Sequence, residues 1–223
     1  MHAIICNGGY RTGSTAAFNI ILNIVSESGI LGKDFRSVGA NHYQIQSFVD
    51  LHPIFLTHRY VIKTHDYYPK DVSENIKLVY TYRSPLSSAA SMANTMPNWD
   101  ENKIYSECIK NYSNYLKYKK NDKILVLKYD DITNNILSVV RSIGQYLKVV
   151  LSQDTCNKIA KNCSLDKVEQ ICKSLKTEAD PYTQYRKNQI SKYKGSDDYY
   201  HKILSKELIE KIQKGMENED NKS

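Results

Sequence analysis

The N-terminal region reads Gly8-Gly9-Tyr10-Arg11-Thr12-Gly13-Ser14-Thr15, and this segment is called the phosphate loop below. A short apolar run, 3–6, precedes it, and an amphipathic run, 16–25, follows it. This order predicts a strand, a glycine-bearing turn and a helix, an arrangement that presents backbone N–H groups to an anion. We therefore predict that the loop holds a phosphate-like group. A glycine-rich structural turn is the alternative.

The spacing of Gly8 and Gly13 fits the loop G-x-x-x-x-G-K-[ST] of enzymes that hydrolyse or transfer nucleotide phosphates. Those enzymes use the lysine on the β- and γ-phosphates and the next hydroxyl on Mg²⁺. Here Ser14 stands in place of that lysine, and the nearest positive charge is Arg11, inside the loop. This departure favours a loop that binds an anion but is not the loop of a kinase or an ATPase.

Length and net charge limit the classes of protein to which the chain can belong. The chain has 223 residues, which suits one domain, 1–216, followed by a disordered tail, 217–223. Lysine and arginine number 31 against 24 acidic residues, and the net charge of +7 favours an anionic partner. A nucleotide, a nucleic acid and an acidic membrane face are all anionic partners that would suit this net charge. The chain has no long run of basic residues of the kind that binds nucleic acid or a membrane, so we expect neither as a partner.

Cysteine usage and hydropathy indicate the compartment. The five cysteines are scattered, and no two of them form a C-x-x-C pair. This pattern is typical of free thiols and disfavours a disulfide scaffold or a zinc site. No signal peptide is visible, and no apolar run approaches the length that spans a membrane. The sequence predicts a soluble cytoplasmic protein.

Strand-like and helix-like segments alternate along the chain. The strand-like segments are 3–6, 60–63, 77–82 and 123–128, and the helix-like segments are 14–28, 85–92, 102–119, 133–147, 152–162, 165–175 and 205–214. Such alternation predicts an α/β fold of three layers, αβα, with a central, mostly parallel sheet like that of the P-loop NTPases. Residues 37–59 read as irregular, and 177–200 reads as a long polar loop.

Polar side chains follow each of the four predicted strands. The segments at these ends are the phosphate loop, Lys63-Thr64-His65, Tyr82-Arg83-Ser84 and Tyr129-Asp130-Asp131. Ligands of open parallel sheets bind beyond the carboxyl ends of the strands, so the four segments are expected to meet in one crevice. Lys63 and His65 are two residues apart on a strand end and can point the same way. Ser91, eight residues after Arg83, is placed to face the same crevice from a helix.

Four motifs in this order resemble those of the sulfotransferases that use 3′-phosphoadenosine 5′-phosphosulfate (PAPS). That family has a loop of the type R-[ST]-G-[ST]-[ST], then K-T-H, then Y-x-x-R-[NS]-P with a serine eight residues after the arginine, then Y-[ED]-[DE]-[LI]. The matching residues are Arg11 to Thr15, Lys63 to His65, Tyr80 with Arg83 to Pro85 and Ser91, and Tyr129 to Ile132. The order and spacing agree from residue 3 to about residue 150.

The resemblance implies a role for each motif. Arg11, Thr12, Gly13, Ser14 and Thr15 would hold the 5′-phosphosulfate, Arg83 and Ser91 the 3′-phosphate, and Tyr129 would lie near the adenosine. The family also carries a C-terminal R-K-G segment for the 3′-phosphate, which this chain lacks. Lys192 to Gly195 and Arg186-Lys187-Asn188 both approximate it, and Lys192 and Lys194 are the favoured candidates.

The chemistry implied is sulfuryl transfer from PAPS to a hydroxyl or an amine of a small-molecule acceptor, leaving 3′-phosphoadenosine 5′-phosphate (PAP). Lys63 and Arg11 would stabilise the charge that develops on the bridging oxygen, so no metal is required. His65 would act as general base, since an ordinary imidazole pKa of about 6.5 suits that role. The neighbouring Asp66 could share it.

Other interpretations stay open at this point. His65 and Lys63 could be solvent-facing residues at a strand end, Arg83 could pair with Asp130 or Asp131, and Ser91 could lie on a helix surface. Those two aspartates could cap the next helix. A nucleotide or small-molecule kinase on a similar sheet is the alternative enzyme, and a non-catalytic binder of nucleotides or nucleic acid is the third hypothesis. Neither the acceptor nor the oligomeric state is encoded in a readable motif.

Overall fold

The structure, a computed structural model, describes residues 1, 3–39, 59–65, 75–187 and 197–222. Its strands are β1 (Ala3–Gly8), β2 (Arg36–Gly39), β3 (Tyr60–Thr64), β4 (Ile76–Tyr82) and β5 (Ile124–Lys128). Its helices are α1 (Ser14–Ser28), α2 (Pro85–Thr95), α3 (Glu101–Tyr118), α4 (Tyr129–Asn134), α5 (Ile136–Tyr146), α6 (Gln153–Asn162), α7 (Leu165–Ser174) and α8 (Lys206–Asp220). A 3₁₀ helix, Asp197–Lys202, precedes α8.

The strands form one parallel sheet in the order β2-β3-β1-β4-β5. Because β1 is central, the chain builds the sheet first on the β3 side and then on the β4 side. Sheets of this kind bind ligands where the strand order reverses, which here is the carboxyl end of β1. The predicted α/β fold with a central parallel sheet flanked by helices is confirmed. The phosphate loop leaves β1 at that position.

Both faces of the sheet are covered, which explains the continuous apolar runs of the central strands. On one face Ile4 and Val79 pack against α1, α5 and α6. On the other face Ile5, Leu78 and Tyr80 pack with Tyr118 of α3. Successive residues of a strand point to opposite faces, so a fully buried run such as that of β1 serves both layers. The sheet is therefore a rigid base for the loops at its carboxyl edge.

The structure corrects three local predictions. β2 lies partly in the segment that was expected to be irregular; it is a short edge strand of four residues whose two ends are exposed. The helix expected over 133–147 is two helices, which are separated at Asn135, and Asp130 and Asp131 lie in the first turn of α4 rather than capping it.

The third correction concerns the C-terminus. The last helix was expected to end at Lys214, but α8 continues to Asp220 and so takes in part of the segment assigned to the tail. The hydroxyl of Tyr112 in α3 donates to the Asp220 carboxylate at 2.8 Å. This hydrogen bond and the packing of α8 on α3 give the last turns a tertiary partner, which the sequence pattern does not reveal.

All five cysteines are buried and free of disulfide bonds. Within the described residues, no helix combines the length and the apolar character needed to cross a lipid bilayer.

Candidate active site

A cavity of about 810 Å³ opens at the carboxyl ends of the strands. Its wall contains nine of the residues that sequence analysis assigned to the site: Arg11, Gly13, Ser14, Thr15, Lys63, His65, Arg83, Ser91 and Tyr129. The four strand ends thus meet in one crevice. Thr12 does not line the cavity, and Lys192 and Lys194 lie outside the described residues.

The phosphate loop is folded by its own side chains and by close packing. The buried hydroxyl of Thr12 donates to the carbonyl oxygen of Gly9 at 2.8 Å and lies 2.9 Å from the Thr81 hydroxyl. Gly13 has a φ of 89°, and a Cβ there would lie 3.0 Å from the ring of Tyr129. Both conditions favour glycine. Thr12 therefore supports the loop from within, while the residues around it face the cavity.

The first turn of α1 is open to the cavity. Gly13 occupies the N-cap position, no side chain caps the helix, and the first turn contains no acidic residue. Ser14, Thr15 and Ala16, which begin the helix, line the cavity wall. The unpaired N–H groups and the positive end of the helix dipole therefore favour a negatively charged ligand at this position.

Two arginines lie together beside this helix terminus. Arg11, which adopts a φ of 64°, donates from Nε to the Ser91 hydroxyl at 2.9 Å. The guanidinium carbon of Arg83 lies 4.0 Å from the centre of the Tyr129 ring. Burial lowers the pKa of Arg11, and the positive charge of Arg83 acts in the same direction, whereas Tyr129 opposes it. Two neighbouring guanidinium groups in a cavity form a site that an anion would stabilise.

Arg83 has one further feature that points to a ligand. Its Nε atom is buried and has no hydrogen-bond partner among the described residues. A buried donor left without an acceptor costs about 1–3 kcal/mol, and more when the group is charged. Arg83 stacks on Tyr129 rather than pairing with the aspartates that sequence analysis had considered. An oxygen-rich anion would supply the acceptor that Nε lacks.

Lys63 and His65 form the second polar group of the site. The carbonyl oxygen of Gly8 lies 2.8 Å from Nδ1 of His65 and can only accept, so Nδ1 carries the proton. Nε2 is then the basic nitrogen, and the ammonium of Lys63 lies 3.1 Å from it. The prediction that the two side chains share one side of the strand end is confirmed. The arrangement places a proton acceptor and a cation at one point of the cavity.

Burial changes the pKa of Lys63. Desolvation lowers the pKa of Lys63 to about 8, and the nearby Arg186 adds to the lowering, whereas Cys6 opposes it. A lysine ammonium that has lost its water shell gains more from a bound anion than an exposed one does. Lys63 therefore still carries its charge at neutral pH but would become neutral at moderately alkaline pH.

A turn near the C-terminus closes one side of the cavity. Ala179 and Arg186 form an antiparallel bridge, and the carboxylate of Asp180 accepts from the backbone N–H of Thr183 at 2.6 Å. The side-chain amide of Asn19 donates to the Thr183 carbonyl at 2.8 Å, which fastens this turn to α1. Arg186 thereby reaches the cavity wall. The R-K-N segment that sequence analysis ranked second thus contributes a cation to the site.

Three tyrosines and a methionine also line the cavity. Tyr10, Met96, Tyr199 and Tyr200 belong to its wall. Sequence analysis named none of them as a site residue. Tyr10 was detectable only by its position inside the phosphate loop, and the others come from segments without a motif. Among the residues that the structure describes, no group of three or more histidine, cysteine or acidic side chains is arranged to hold a metal ion.

Comparison with solved structures finds proteins of similar fold. The chain is similar in structure to retinol dehydratase in complex with androsterone and the inactive cofactor PAP, with a TM-score of 0.66 and 11% identity over 98% of this chain and 80% of that chain. It is also similar to mouse sulfotransferase SULT7A1 complexed with PAP, with a TM-score of 0.65 and 15% identity over 96% of this chain and 83% of that one. At these identities the likeness shows the fold.

Two comparisons rest on sequence. A search of curated protein sequences finds no match to the chain. The family model described as the sulfotransferase domain matches residues 10–222, which is nearly the whole chain and includes the phosphate loop from Tyr10 onward. The chain therefore belongs to the sulfotransferase domain family.

Proposed function

We propose that this protein transfers a sulfuryl group from PAPS to a hydroxyl or an amine of a small molecule, with His65 as general base. One observation carries the proposal: the phosphate loop, the arginine pair and the Lys63–His65 pair line a single cavity. Anion-binding groups and a proton acceptor are the two requirements of a transfer from an anionic donor to an O–H or N–H nucleophile.

The cavity has the groups needed for the donor. Arg11, Gly13, Ser14 and Thr15 would bind the 5′-phosphosulfate at the start of α1, and the buried side chain of Thr12 would support the loop. Arg83 and Ser91 would bind the 3′-phosphate, which would give Nε of Arg83 the acceptor it lacks. We keep Lys192 and Lys194 as proposed contacts to that phosphate and add Arg186 as a further cation of the site.

The adenosine would occupy the apolar side of the cavity. The side chains there come from α4, α5, α7 and the C-terminal turn: Tyr129, Ile132, Ile136, Leu165, Val168 and Tyr185. A flat apolar base fits such a wall, and the cavity volume of about 810 Å³ lies within the usual range for sites that enclose a ligand of this size.

When bound, PAPS supplies the activated sulfuryl group, whose bond to the 5′-phosphate oxygen breaks as the bond to the acceptor forms. His65 accepts the acceptor proton at Nε2, because Gly8 holds the proton on Nδ1. Lys63 and Arg11 line the same cavity and would stabilise the negative charge that develops on the bridging oxygen. Fixed cations of this kind act by electrostatic preorganisation, the mode that dominates phosphoryl transfer as well.

The free thiols support a proposal about the compartment. Burial raises the pKa of Cys6 and that of Cys163 to about 12, so both remain protonated and unreactive at neutral pH. Buried thiols without disulfide partners persist in a reducing environment. We propose the cytoplasm as the site of action.

Calorimetry tests the donor assignment without an acceptor. We expect PAP to bind at least about 100-fold more tightly than AMP, since two contacts to a charged phosphate contribute about 1.5–3 kcal/mol each. Arg83→Ala should reduce this preference by about 10-fold or more. The matched control is Arg141→Ala, which removes an exposed arginine that pairs with Gln153 outside the cavity. Equal affinities for PAP and AMP in the wild type would contradict the assignment of Arg83 and Ser91.

A further inference from the structure

The ring of Tyr10 lies against the imidazole of His65. The two ring centroids are 4.5 Å apart and the planes are inclined by 18°, a stacked arrangement. The edge of Tyr10 contacts Trp99 in a T-shaped arrangement with centroids 5.0 Å apart. We propose that Tyr10 is a positioning residue that sets the ring plane of His65 and thereby the direction in which Nε2 faces. The inference rests on the proposed function of His65 as base.

The phosphate loop holds the backbone of Tyr10 on both sides. Before Tyr10, Gly9 packs so closely on the side-chain amide of Asn111 in α3 that an added Cβ would overlap it. The Gly9 carbonyl accepts from the buried Thr12 hydroxyl at 2.8 Å. After Tyr10, Arg11 turns the chain at a φ of 64°. The loop therefore fixes the backbone of Tyr10, and the contact with Trp99 supports the ring that lies against His65.

The stacked ring of Tyr10 acts on a different part of His65 from the polar contacts. Gly8 and Lys63 contact the imidazole at its two nitrogens, on the ring edge, and these two contacts leave the ring faces uncovered against a pivot of the ring plane. The lone pair on Nε2 lies in the ring plane, so any pivot redirects the base. Tyr10 covers one face of the imidazole and removes this freedom. Small errors in the orientation of a catalytic group are costly, since a displacement of about 1 Å can reduce a rate about 10²-fold.

A role of Tyr10 in orienting His65 can be distinguished from a role in packing alone. Tyr10 also belongs to the apolar cluster that contains Trp99, Tyr105 and Tyr200. If Tyr10 served packing alone, its loss would lower stability and affect all functions of the site together. If it orients His65, its loss lowers the rate of transfer only while His65 is present. The two roles therefore predict different results in a double-mutant cycle.

The kinetic test uses [³⁵S]PAPS and 2-naphthol with four variants: Tyr10→Phe, Tyr10→Leu, His65→Ala and Tyr10→Leu/His65→Ala. We expect Tyr10→Leu to lower kcat by about 10- to 100-fold with little change in the KM for PAPS. Tyr10→Phe, which keeps the aromatic ring, should retain most of the wild-type kcat. In the His65→Ala background, Tyr10→Leu should cause no further loss. Tyr105→Leu, which alters the same cluster away from the cavity wall, should leave kcat near the wild-type value.

Three results would overturn the inference: an equal loss with and without His65, a loss confined to the KM or to PAP affinity, or a Tyr10→Phe variant as slow as Tyr10→Leu. A second, independent experiment does not depend on turnover. In ¹⁵N spectra of the histidine rings, with His65 identified through His65→Gln, we expect a single Nδ1-protonated tautomer in the wild type and Tyr10→Phe. Tyr10→Leu should give averaged tautomers, because a ring that can pivot no longer holds Nδ1 on the Gly8 carbonyl. If the wild type transfers no label from PAPS, the proposed function fails, and this spectrum alone decides whether Tyr10 orients His65.

Discussion

The Lys63 ammonium lies 3.1 Å from Nε2 of His65, the nitrogen that the Gly8 carbonyl leaves as the proton acceptor. Under the proposed function, this cation contacts the general base directly. The negative charges of a bound nucleotide would compete for the same ammonium. Lys63 would thus connect the proposed donor site with the proposed acceptor site.

The first prediction concerns the pH dependence of Lys63. Its pKa is lowered to about 8, so its positive charge is present below that pH and is lost as the pH rises through it. We expect kcat/KM for PAPS, which reports the free enzyme, to fall above about pH 8. The fall in kcat should come at higher pH, because the bound anion stabilises the ammonium.

Two variants test that assignment. Lys63→Arg retains a charge that does not titrate in this range, so its kcat/KM profile should lack the alkaline decline. Lys63→Met should be slow at every pH. If Lys63→Arg declines above pH 8 like the wild type, the titrating group is not Lys63.

The second prediction separates binding from chemistry. His65→Ala should lower kcat by about 10²–10⁴-fold, the usual contribution of a general base, while PAP affinity stays within about 2-fold of the wild type. The matched control is His201→Ala, which removes a histidine that packs on Tyr200 and does not line the cavity. Normal turnover of His65→Ala would move the base role elsewhere, first to Asp66.

Most of this site was predictable because strand ends carry motifs at fixed spacing. Lys63 and His65 were expected to face the same way, and parallel pairing of Cys6 with Lys63 explains why the end of β1 meets them. The Tyr10–His65 stack joins residues 55 positions apart and depends on the path of the loop, which no local pattern encodes. Strand β2 was not predicted, because a short edge strand with exposed ends lacks the apolar run of a central strand.

The third prediction concerns the contact beneath the phosphate loop. In Gly9→Ala the new methyl group would overlap the amide of Asn111, so the loop must shift. We expect kcat/KM for PAPS to fall by about 10- to 100-fold, since such a shift displaces Tyr10 and the anion-binding groups together. Overpacking should also lower the free energy of unfolding by about 1–3 kcal/mol.

A second substitution makes this prediction specific. Asn111→Ala in the Gly9→Ala background removes the atoms that the methyl group would meet, so part of both losses should return. Thermal unfolding and kcat/KM, measured on the two single variants and the double variant, give the coupling between the sites. Additive losses would mean that the close contact does not explain the requirement for glycine.

The fourth prediction ranks the cations of the C-terminal segment. Arg186 lines the cavity near Lys63, so Arg186→Ala should weaken PAP binding by about 10-fold or more. It should also reduce the dependence of affinity on salt, because one positive charge fewer faces the anion. Lys192→Ala and Lys194→Ala test the contacts that the sequence favoured, with Lys161→Ala on α6 as an exposed control. If Arg186→Ala binds PAP as the wild type does, Arg186 is not part of the donor site.

The most direct measurement follows the sulfuryl group itself. Wild-type protein, [³⁵S]PAPS and either 2-naphthol or 2-naphthylamine are incubated with excess EDTA, and the labelled products are separated from the nucleotide. We expect label on at least one acceptor, one equivalent of PAP for each labelled product, and almost no product from His65→Ala. Label that stays on PAPS with both acceptors, or phosphorylation of an acceptor from ATP and Mg²⁺ instead, would contradict the proposed function.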